Sequence, residues 1–463
     1  MQVTVSNNIK ITNSSPEILT WCQTNLKLAN PDYVKKARMG FWLGNTPKDL
    51  YLYEIHGGEL VIPYGCLKAI APLIKDATVQ SNFKPSVSVD YGEPIPLYPY
   101  QETAVEQAKN GLYGILQSKA GSGKTQMGIA LIREYGKRAL WLCHTLDLVN
   151  QSKERAERYM DSSLIGKITE GKVNIGKGVT FATIQTMSKL DLAQYRDMWD
   201  VIIVDECHRV AGTPTAMTQF SKVLNSLSAR HKYGLSATVH RSDGMIVATY
   251  ALLGNVVYTV PDEAIADKVM RVGIKPIGTG VGISRDCLNT DGTLNYAKLI
   301  NYLCEDFTRN HIISGHIVAE SDKSCLILSD RLEHLEYLIN TLPHQIRDQA
   351  VMISGKMTSK KGKAEREQAL EDMRTGKKKY LFATYSLCKE GLDIPRLERL
   401  FMASPVGDYA VVTQSIGRIA RTFEGKADPI VYDFVDNVGY LQKRFKKRCA
   451  TYKKNDCYFI GGD

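Results

Sequence analysis

From residue 97 onward, short apolar runs of strand length alternate with longer stretches of helical periodicity. The alternation occurs in two consecutive blocks. The candidate strands of the first block are 113–117, 139–143, 179–182, 201–204 and 232–235. Those of the second block are 324–328, 351–353, 380–383, 400–403 and 430–434. Because strands separated by helices form crossover units, the pattern predicts two tandem α/β domains, each with a parallel sheet buried on both faces.

Residues 1–93 show a mixed pattern, which predicts a small α+β accessory domain before the two α/β domains. A candidate helix lies at 16–28, and the strand-like or apolar stretches lie at 3–11, 38–43, 50–56 and 60–74.

The boundaries between the predicted domains follow from breaks in these patterns. A polar segment with several prolines, 81–96, is typical of a linker. The block from 261 to 321, with a candidate strand at 268–279 and a helical stretch at 296–317, is assigned mainly to the second α/β domain. The predicted organisation is an accessory domain, two α/β domains and a basic tail, at 1–93, 94–260, 261–440 and 441–463.

Composition narrows the class of protein only in part. With 463 residues, 44% hydrophobic and 23% charged, the chain is typical of a soluble globular protein of two or three domains. A net charge of +10 favours an acidic partner such as nucleic acid. The ten cysteines form no CxxC pair or Cys/His cluster, which indicates reduced thiols, a cytoplasmic location and no structural metal. We expect no signal peptide and no membrane span.

The first candidate strand leads into a loop that is typical of phosphate binding, Ser118-Lys119-Ala120-Gly121-Ser122-Gly123-Lys124-Thr125, and a candidate helix follows at 127–134. Glycines allow the backbone N–H groups of 119–123 to point at one anion, together with the helix N-terminus. Lys124 would reach the terminal phosphates, and Thr125 would offer its hydroxyl to Mg²⁺. Ser118 departs from the usual pattern, which begins with glycine. The loop predicts a nucleoside triphosphate as substrate.

Two adjacent carboxylates, Asp205 and Glu206, end the candidate strand at 201–204. Ligands of parallel sheets bind beyond the carboxyl ends of the strands, so we expect this pair on the same side of the sheet as the phosphate loop. Asp205 would hold Mg²⁺. Glu206 would orient and deprotonate the attacking water.

Two basic segments leave alternatives open. Near the N-terminus, positive charge is mixed with aromatic residues, and this segment is either a surface that stacks bases or the core of a small sheet; it contains Tyr33, Lys35, Lys36, Arg38, Phe41 and Trp42. The basic stretch 442–454 is either a solvated helix or a contact for nucleic acid.

On these motifs the chain resembles helicases and translocases of superfamily 2, related to the DEAD/DEAH-box group. The segment 97–101 resembles the entry motif of the family, in which Gln101 would recognise adenine. The segments 141–151 and 183–186 resemble motifs that line the nucleic-acid track, with His144 in place of the usual proline. Gly234-Leu235-Ser236-Ala237-Thr238 resembles the motif that couples hydrolysis to movement, and Val239 replaces a proline after it. The next segment, 241–244, resembles a DNA-translocating branch.

In the second domain, 383–395 resembles the family motif that contacts both nucleic acid and nucleotide. The pattern Gln414-x-x-Gly417-Arg418-x-x-Arg421 resembles the last motif of the family, whose arginines stabilise charge on the transferred phosphoryl group. The resemblance implies catalytic roles for Lys124, Asp205, Glu206, Arg418 and Arg421. It further implies nucleotide-binding positions at His208, Gly391, Asp393 and Gln414, in addition to Gln101 and the phosphate loop.

The resemblance covers about 97–436, and phage branch-migration and replication helicases are the group it most suggests. It implies two RecA-like domains, with ATP and Mg²⁺ in a cleft that the arginines complete on closure. The expected activity is nucleic-acid-stimulated ATP hydrolysis coupled to movement on DNA, in a bacterial or phage-infected host cytosol. We expect a monomeric motor, with replication or recombination proteins as possible partners. The alternatives are an RNA helicase, the motor subunit of a restriction system and an ATP-gated binding protein without productive hydrolysis.

Overall fold

The structure is a computed structural model that describes residues 1–84, 87–119, 121–210, 214–239, 244–265, 269–355, 357, 359–388 and 392–461. Its contacts divide the chain into two compact units. The first comprises Met1–Lys119 and Gly123–Ala264, and the second comprises Ile265–Asp463 and Ala120–Ser122. Among the described residues, no helix has both the length and the apolar character that a membrane crossing requires.

The first unit begins with a small α+β domain. Its elements are β1 (Gln2–Val5), β2 (Asn8–Thr12), α1 (Pro16–Asn25), β3 (Lys27–Ala29), α2 (Pro31–Arg38), β4 (Asp49–Tyr51), β5 (Glu54–His56), β6 (Glu59–Pro63), α3 (Leu67–Ile70) and β7 (Thr78–Ser81). Five strands form one sheet in the order β5-β6-β2-β1-β7, in which only the β1–β7 pair is parallel. β3 and β4 form a separate antiparallel ladder.

The α+β domain packs directly on the α/β domain that follows it in the same unit. Its core cluster takes in Tyr113 and Ala251, which belong to the α/β domain. A side chain at Gly65 could not fit, because a Cβ there would lie 2.4 Å from the backbone nitrogen of Gly254. Tyr64 adds a hydrogen bond from its hydroxyl to the carbonyl of Arg230, at 3.0 Å. The two parts therefore share one hydrophobic core.

The α/β domain of the first unit is built on an eight-stranded sheet. Its elements are α4 (Pro99–Gly111), β8 (Gly114–Gln117), α5 (Lys124–Tyr135), β9 (Ala139–Cys143), α6 (Leu146–Glu157), β10 (Ile165–Thr169), β11 (Lys172–Asn174), β12 (Val179–Thr183), α7 (Ile184–Met187), β13 (Val201–Asp205), α8 (Pro214–Ser226), β14 (His231–Ser236), α9 (Ile246–Leu253) and β15 (Val256–Thr259). The strand order is β11-β10-β12-β9-β13-β14-β8-β15, and every pair but β10–β11 is parallel.

The second unit is built on a seven-stranded parallel sheet in the order β18-β19-β17-β20-β21-β16-β22. Its elements are β16 (Gly273–Gly278), α10 (Tyr296–Glu305), α11 (Phe307–Ala319), β17 (Cys325–Ser329), α12 (Leu332–Thr341), α13 (His344–Arg347), β18 (Ala350–Ile353), α14 (Lys360–Thr375), β19 (Tyr380–Thr384), α15 (Tyr385–Cys388), β20 (Arg399–Met402), α16 (Tyr409–Ile419), β21 (Ile430–Val435), α17 (Gly439–Lys454) and β22 (Tyr458–Phe459).

Alternate residues of the central strands of this second sheet enter two separate hydrophobic clusters. In β17, Leu326 and Leu328 belong to one cluster, whereas Cys325 and Ile327 belong to the other. Because side chains alternate across a strand, the sheet is covered on both faces. The predicted fold class, two tandem RecA-like α/β domains after a small α+β domain, is confirmed.

Two local expectations differ from the structure, and a third is refined. Within the segment predicted as a linker, Tyr91 is buried and donates its hydroxyl to the carbonyl of Lys137 at 2.8 Å, so this part of the segment packs on the α/β domain. The expected strand at 38–43 is absent, since Pro31 starts a helix that extends to Arg38 and the chain after it is irregular. The helical stretch at 296–317 is divided at Asp306, whose side chain accepts a hydrogen bond from the backbone N–H of Arg309 and caps α11.

The expected basic tail at 441–463 is part of the second unit. Arg448, on α17, is buried and forms two 2.8 Å hydrogen bonds to the Asp433 carboxylate, which also accepts from the Tyr452 hydroxyl at 2.6 Å. Beyond the helix, β22 pairs with β16. Paired charge thus secures α17 against the sheet, and the helix is neither fully solvated nor a detached tail.

Candidate nucleotide-binding site

Three neighbouring strands of the first unit, β13, β14 and β8, carry the predicted motifs at their carboxyl ends. The phosphate loop follows β8, the carboxylate pair ends β13, and the segment Gly234–Thr238 spans the end of β14, which lies between them. The backbone N–H of Ser118 donates to the carbonyl of Ser236 at 3.0 Å and connects two of these ends. The strand order thus places three motifs, distant in the sequence, at one edge of the sheet.

The phosphate loop has the backbone that its glycines permit. Gly121 and Gly123 have φ angles of +90° and +79°, and α5 begins directly after Gly123, at Lys124. The Lys124 ammonium is buried and lies 3.2 Å from the carbonyl of Ser118 and 3.4 Å from that of Lys119. The loop therefore holds a cation and a helix N-terminus together, which suits an anion.

The other positions of this unit that are predicted to bind nucleotide lie within this loop or beside it. Gln101 is buried, its side-chain oxygen accepts from the backbone N–H of Tyr98 at 3.0 Å, and a Cβ on Gly123 would lie 2.4 Å from its Nε2. Lys119 pairs with Asp262 at 2.8 Å. Ser122 is buried, and Thr125 is half-buried on the first turn of α5. Ala120 falls outside the described residues.

The carboxylate pair occupies a sharp turn at the end of β13. Asp205 is buried, and its carboxylate accepts from the backbone N–H of Glu206 at 3.0 Å and from the Ser152 hydroxyl at 3.3 Å. Burial, with the neighbouring charge of Glu206, raises the pKa of Asp205, whereas the Lys124 ammonium acts in the opposite direction. Glu206 has φ +48°, a left-handed conformation that is strained for a residue with a Cβ. The strained backbone at Glu206 therefore directs its carboxylate differently from that of Asp205, which still belongs to the strand.

His208 connects the carboxylate pair to the end of β14. Its Nδ1 lies 3.0 Å from the Ser236 hydroxyl and 3.3 Å from a Glu206 carboxylate oxygen. The Ser236 hydroxyl donates its single proton to the carbonyl of Thr238 at 2.7 Å, so it accepts from His208. This assigns a proton to Nδ1 of His208, which can then also interact with Glu206.

The two segments predicted to line the nucleic-acid track follow β9 and β12, on the other side of β13. The side-chain amide of Gln185 donates to the carbonyl of His144 at 2.8 Å, and the hydroxyls of Thr183 and Thr186 are 3.0 Å apart. Burial lowers the pKa of His144, with smaller contributions from Arg209 and His208. The two segments therefore touch each other at the same edge of the sheet. Of the segment 241–244, only Gly244 is among the described residues.

The predicted residues of the second unit form a group of their own. Arg421 forms an ion pair with Asp393, and Arg418 donates to the carbonyl of Leu392 at 2.9 Å. Both arginines are thereby held against the motif 383–395, although they follow it in sequence by more than twenty residues. Gln414 is buried on the same helix, α16. Gly391 falls outside the described residues.

Sequence reasoning missed two polar residues of these groups. Ser152 supports Asp205 from α6, and its helical spacing from the apolar residues Val149 and Ala156 was the available signal. Lys426 donates to the carbonyls of Ile419, Arg421 and Pro395, at 2.7, 2.6 and 3.1 Å, and fastens the end of α16 to the motif 383–395. Burial lowers the pKa of Lys426 to about 7. Nothing in its sequence neighbourhood distinguishes this lysine from a surface one.

Two family profiles match the chain. The profile "Type III restriction enzyme, res subunit" matches residues 94–241, and "Helicase conserved C-terminal domain" matches residues 308–423. Together they span most of both α/β domains. The chain belongs to the superfamily 2 helicases and is an ATP-dependent helicase.

Within this class, the relatives include viral and cellular helicases. The chain is 26% identical over 342 residues to "Probable helicase D10" of Escherichia phage T5, with 74% of this chain and 72% of the relative covered. It is 25% identical to "Putative ATP-dependent RNA helicase L396" of Acanthamoeba polyphaga mimivirus, covering 88% and 77%. It is 23% identical to "DNA 3'-5' translocase XPB2" of Sulfurisphaera tokodaii, covering 72% and 80%. The phage helicase is the kind of relative that the motifs suggested.

Among solved structures, S. cerevisiae Dbp5 bound to RNA and ADP BeF3 is similar with a TM-score of 0.56 and 17% identity, covering 86% of this chain and 93% of Dbp5. At this identity the similarity supports the fold, namely the two RecA-like domains.

Proposed function

We propose that this helicase is a DNA translocase, which couples ATP hydrolysis to movement along DNA and remodels duplex or branched DNA. The observation that carries the proposal is the convergence of the phosphate loop, the carboxylate pair and the segment Gly234–Thr238 at the ends of three adjacent strands. Through His208 and Ser236, a change at the carboxylates can be transmitted to the neighbouring strand end. A motor needs such a link between hydrolysis and movement.

In the first unit, Lys124 and the N–H groups of the loop would bind the triphosphate, and Gln101 would bind the adenine. A magnesium ion fits the same site. The Asp205 carboxylate is buried, which penalises its charge, and a hard divalent cation with oxygen ligands would relieve that penalty. Thr125 supplies a hydroxyl on the adjoining helical turn. The ion would neutralise charge on the phosphates, while Asp205 and Thr125 hold it.

Glu206 is the proposed general base. Glu206 directly follows Asp205 but has a left-handed backbone, so its side chain departs from the regular alternation of the strand. One carboxylate can therefore serve the metal and the other a water molecule. His208 lies 3.3 Å from Glu206 and would keep that side chain in place.

In the second unit, Arg418 and Arg421 are proposed to stabilise the negative charge that develops on the transferred phosphoryl group. Their support is local. Hydrogen bonds to Leu392 and Asp393 fix both guanidinium groups beside a motif that resembles a nucleotide-contacting one. Asp393 and Gln414 would assist them.

DNA is favoured over RNA for three reasons. The acidic tetrad is Asp205-Glu206-Cys207-His208, which differs from the tetrad typical of many RNA helicases, and the segment 241–244 resembles a DNA-translocating branch. One relative is named as a DNA translocase. The second candidate is an RNA helicase, which the name of the mimivirus relative and the RNA-bound Dbp5 structure favour.

The deciding experiment compares steady-state ATP hydrolysis with matched substrates: single-stranded DNA, a forked duplex, a four-way junction and an RNA duplex. The proposal expects strong stimulation by at least one DNA substrate and weak stimulation by RNA. Stimulation by RNA alone would establish the alternative. Strand-separation assays on the same substrates would test the further proposal of a role in phage or mobile-element replication or recombination, which expects activity on forks or junctions.

A further inference from the structure

A short insertion projects from the α+β domain between β3 and β4. It comprises residues 30–48 and is called here the aromatic insertion. Its base is closed by the β3–β4 ladder and by Asn30, a buried residue. Asn30 donates its backbone N–H to the carbonyl of Lys48 at 2.9 Å and its side-chain amide to that of Pro47 at 2.8 Å. The two ends of the insertion are therefore firmly joined.

The base of the aromatic insertion rests on the α/β domain of the same unit. Leu28, Leu50 and Leu52, on and beside β3 and β4, pack against a buried cluster of Met217, Met245 and Ala248. Met217 belongs to α8, Met245 precedes α9, and Ala248 is on α9. The insertion is thus mounted on the helices of the first motor domain.

The backbone of the aromatic insertion is held, yet its large apolar side chains face solvent. The Phe41 N–H donates to the carbonyl of Lys36 at 2.9 Å, and the Trp42 ring lies against Gly44. Trp42 nevertheless is 89% exposed and Phe41 58% exposed. Met39 and Val34 are also exposed. Two of the other tryptophans, Trp141 and Trp199, are buried. Several large apolar side chains exposed within one short segment are typical of an interaction site.

The charge around these rings identifies the partner. The insertion contains four basic residues, Lys35, Lys36, Arg38 and Lys48, and a single acidic residue, Asp32. Among the described residues, no carboxylate pairs with Lys35 or Arg38, and α2 has no buried residue. Positive charge beside exposed aromatic rings is the combination that binds single-stranded nucleic acid, because rings stack on bases and cations contact phosphates. An apolar protein surface would match the rings but would leave this charge without a counterpart.

We infer that the aromatic insertion is a stacking platform for single-stranded nucleic acid, with bases on Trp42 and Phe41 and phosphates on Lys35 and Arg38. The inference rests on the proposed function, in that a DNA motor exposes single strands for the platform to hold. Because the platform is mounted on α8 and α9, a strand held there is held by the first motor domain itself. This decides between the two alternatives for the aromatic segment in favour of a surface.

The test uses the full-length protein and a short oligothymidylate, which has little structure of its own. Trp42 is the most exposed of the four tryptophans, so a stacked base should quench its fluorescence. We expect wild-type fluorescence to fall on titration. Trp42→Ala should lose the quenching and bind at least about fivefold more weakly, the lower range for one stacked base. Trp21→Phe, which changes a partly buried tryptophan of α1, is the matched control and should keep both properties.

Charge is tested by Lys35→Ala combined with Arg38→Ala, which should weaken binding and reduce the dependence of affinity on salt, since fewer counterions are released.

Single-stranded RNA should quench Trp42 as well, because stacking depends on the base and not on the sugar. Equal oligothymidylate affinity in Trp42→Ala and wild type, or quenching by duplex alone, would overturn the inference. Unchanged thermal unfolding of Trp42→Ala, expected for so exposed a residue, ensures that weaker binding is not a folding defect.

Failure of this inference is distinguishable from failure of the proposed function. Lys124→Ala should abolish ATP hydrolysis and keep the quenching of Trp42. If DNA stimulates ATP hydrolysis but Trp42→Ala leaves oligothymidylate binding unchanged, the proposed motor stands and the platform is excluded. If oligothymidylate quenches Trp42 but DNA does not stimulate hydrolysis, the platform stands and the proposed DNA motor is excluded.

Discussion

The Ser236 hydroxyl lies 3.0 Å from Nδ1 of His208, so a side-chain hydrogen bond joins the carboxyl ends of the adjacent strands β13 and β14. One end carries the proposed metal ligand and general base. The other carries the segment that resembles the coupling motif of the family. The proposed route from hydrolysis to movement therefore begins with a single contact that mutation can remove.

Ser236→Ala should impair hydrolysis without preventing nucleotide binding. Without the hydroxyl, the His208 ring loses the 3.0 Å contact that fixes its orientation, and it positions the Glu206 side chain less well. We expect kcat to fall about tenfold, which corresponds to the loss of one hydrogen bond of about 1.4 kcal/mol in the transition state. ATPase assays beside nucleotide-binding titrations measure both quantities.

The matched control is Ser226→Ala, which removes a hydroxyl on α8 that donates only to the carbonyl of Lys222. Wild-type kcat in Ser236→Ala would contradict a role for the His208 contact in hydrolysis.

Lys124→Ala and Glu206→Gln should separate binding from turnover. Lys124→Ala removes the cation of the phosphate loop and should weaken ATP binding and abolish hydrolysis. Glu206→Gln keeps the shape but removes the base, so it should bind ATP normally and lose about 10²- to 10⁴-fold in kcat. Normal steady-state activity in either variant would exclude the proposed site.

Arg418→Ala should spare nucleotide binding and remove nucleic-acid-stimulated hydrolysis. An arginine that acts on the developing charge contributes about 10³- to 10⁵-fold to kcat in related phosphoryl transfers. The measurement is again turnover beside binding. Arg347→Ala, at an exposed position of α13 in the same unit, is the control and should behave as wild type.

Lys232 should make the stability of the first unit depend on pH. Its ammonium is buried at the contact with the α+β domain, donates to the carbonyls of Leu224 and Asn7 at 2.6 and 3.2 Å, and burial lowers its pKa to about 7. The unfolded chain keeps the ordinary pKa of about 10.4, so between about pH 7 and pH 10 it binds more protons than the native state. The contribution of Lys232 to stability therefore rises with pH across this window, by at most about 1.4 kcal/mol per pH unit.

Lys232→Met removes this titration. We expect the stability of wild type relative to Lys232→Met to increase from pH 7 to pH 10, as measured by denaturant unfolding at several pH values. Lys75→Met, at an exposed position, is the matched control. A constant difference between wild type and Lys232→Met would show that the lysine is equally protonated in both states.

Much of the fold, and the places of the phosphate loop and the carboxylate pair at the ends of strands, could be predicted from local sequence. Continuous apolar runs separated by helical stretches predicted the parallel sheets, because a strand that is buried on both faces has no polar side. The glycines and Lys124 predicted the phosphate loop, since glycines allow the tight turn from strand to helix in which N–H groups point at an anion. Asp205 and Glu206 were predictable because they end an apolar strand. These features depend on residues that are neighbours along the chain.

The tertiary structure alone decided features that depend on distant partners. Arg448 belongs to a basic stretch that the sequence left open as a solvated helix or a nucleic-acid contact, but Asp433 pairs with it inside the second unit. Ser152 contacts Asp205, 53 residues along the chain, and Lys426 contacts the carbonyl of Pro395, 31 residues before it. Phe41 and Trp42 could have formed the core of a small sheet or a surface, and the structure leaves both exposed in the insertion between β3 and β4. Local pattern determines which segments form strands and helices, whereas burial and charge pairing depend on which segments meet.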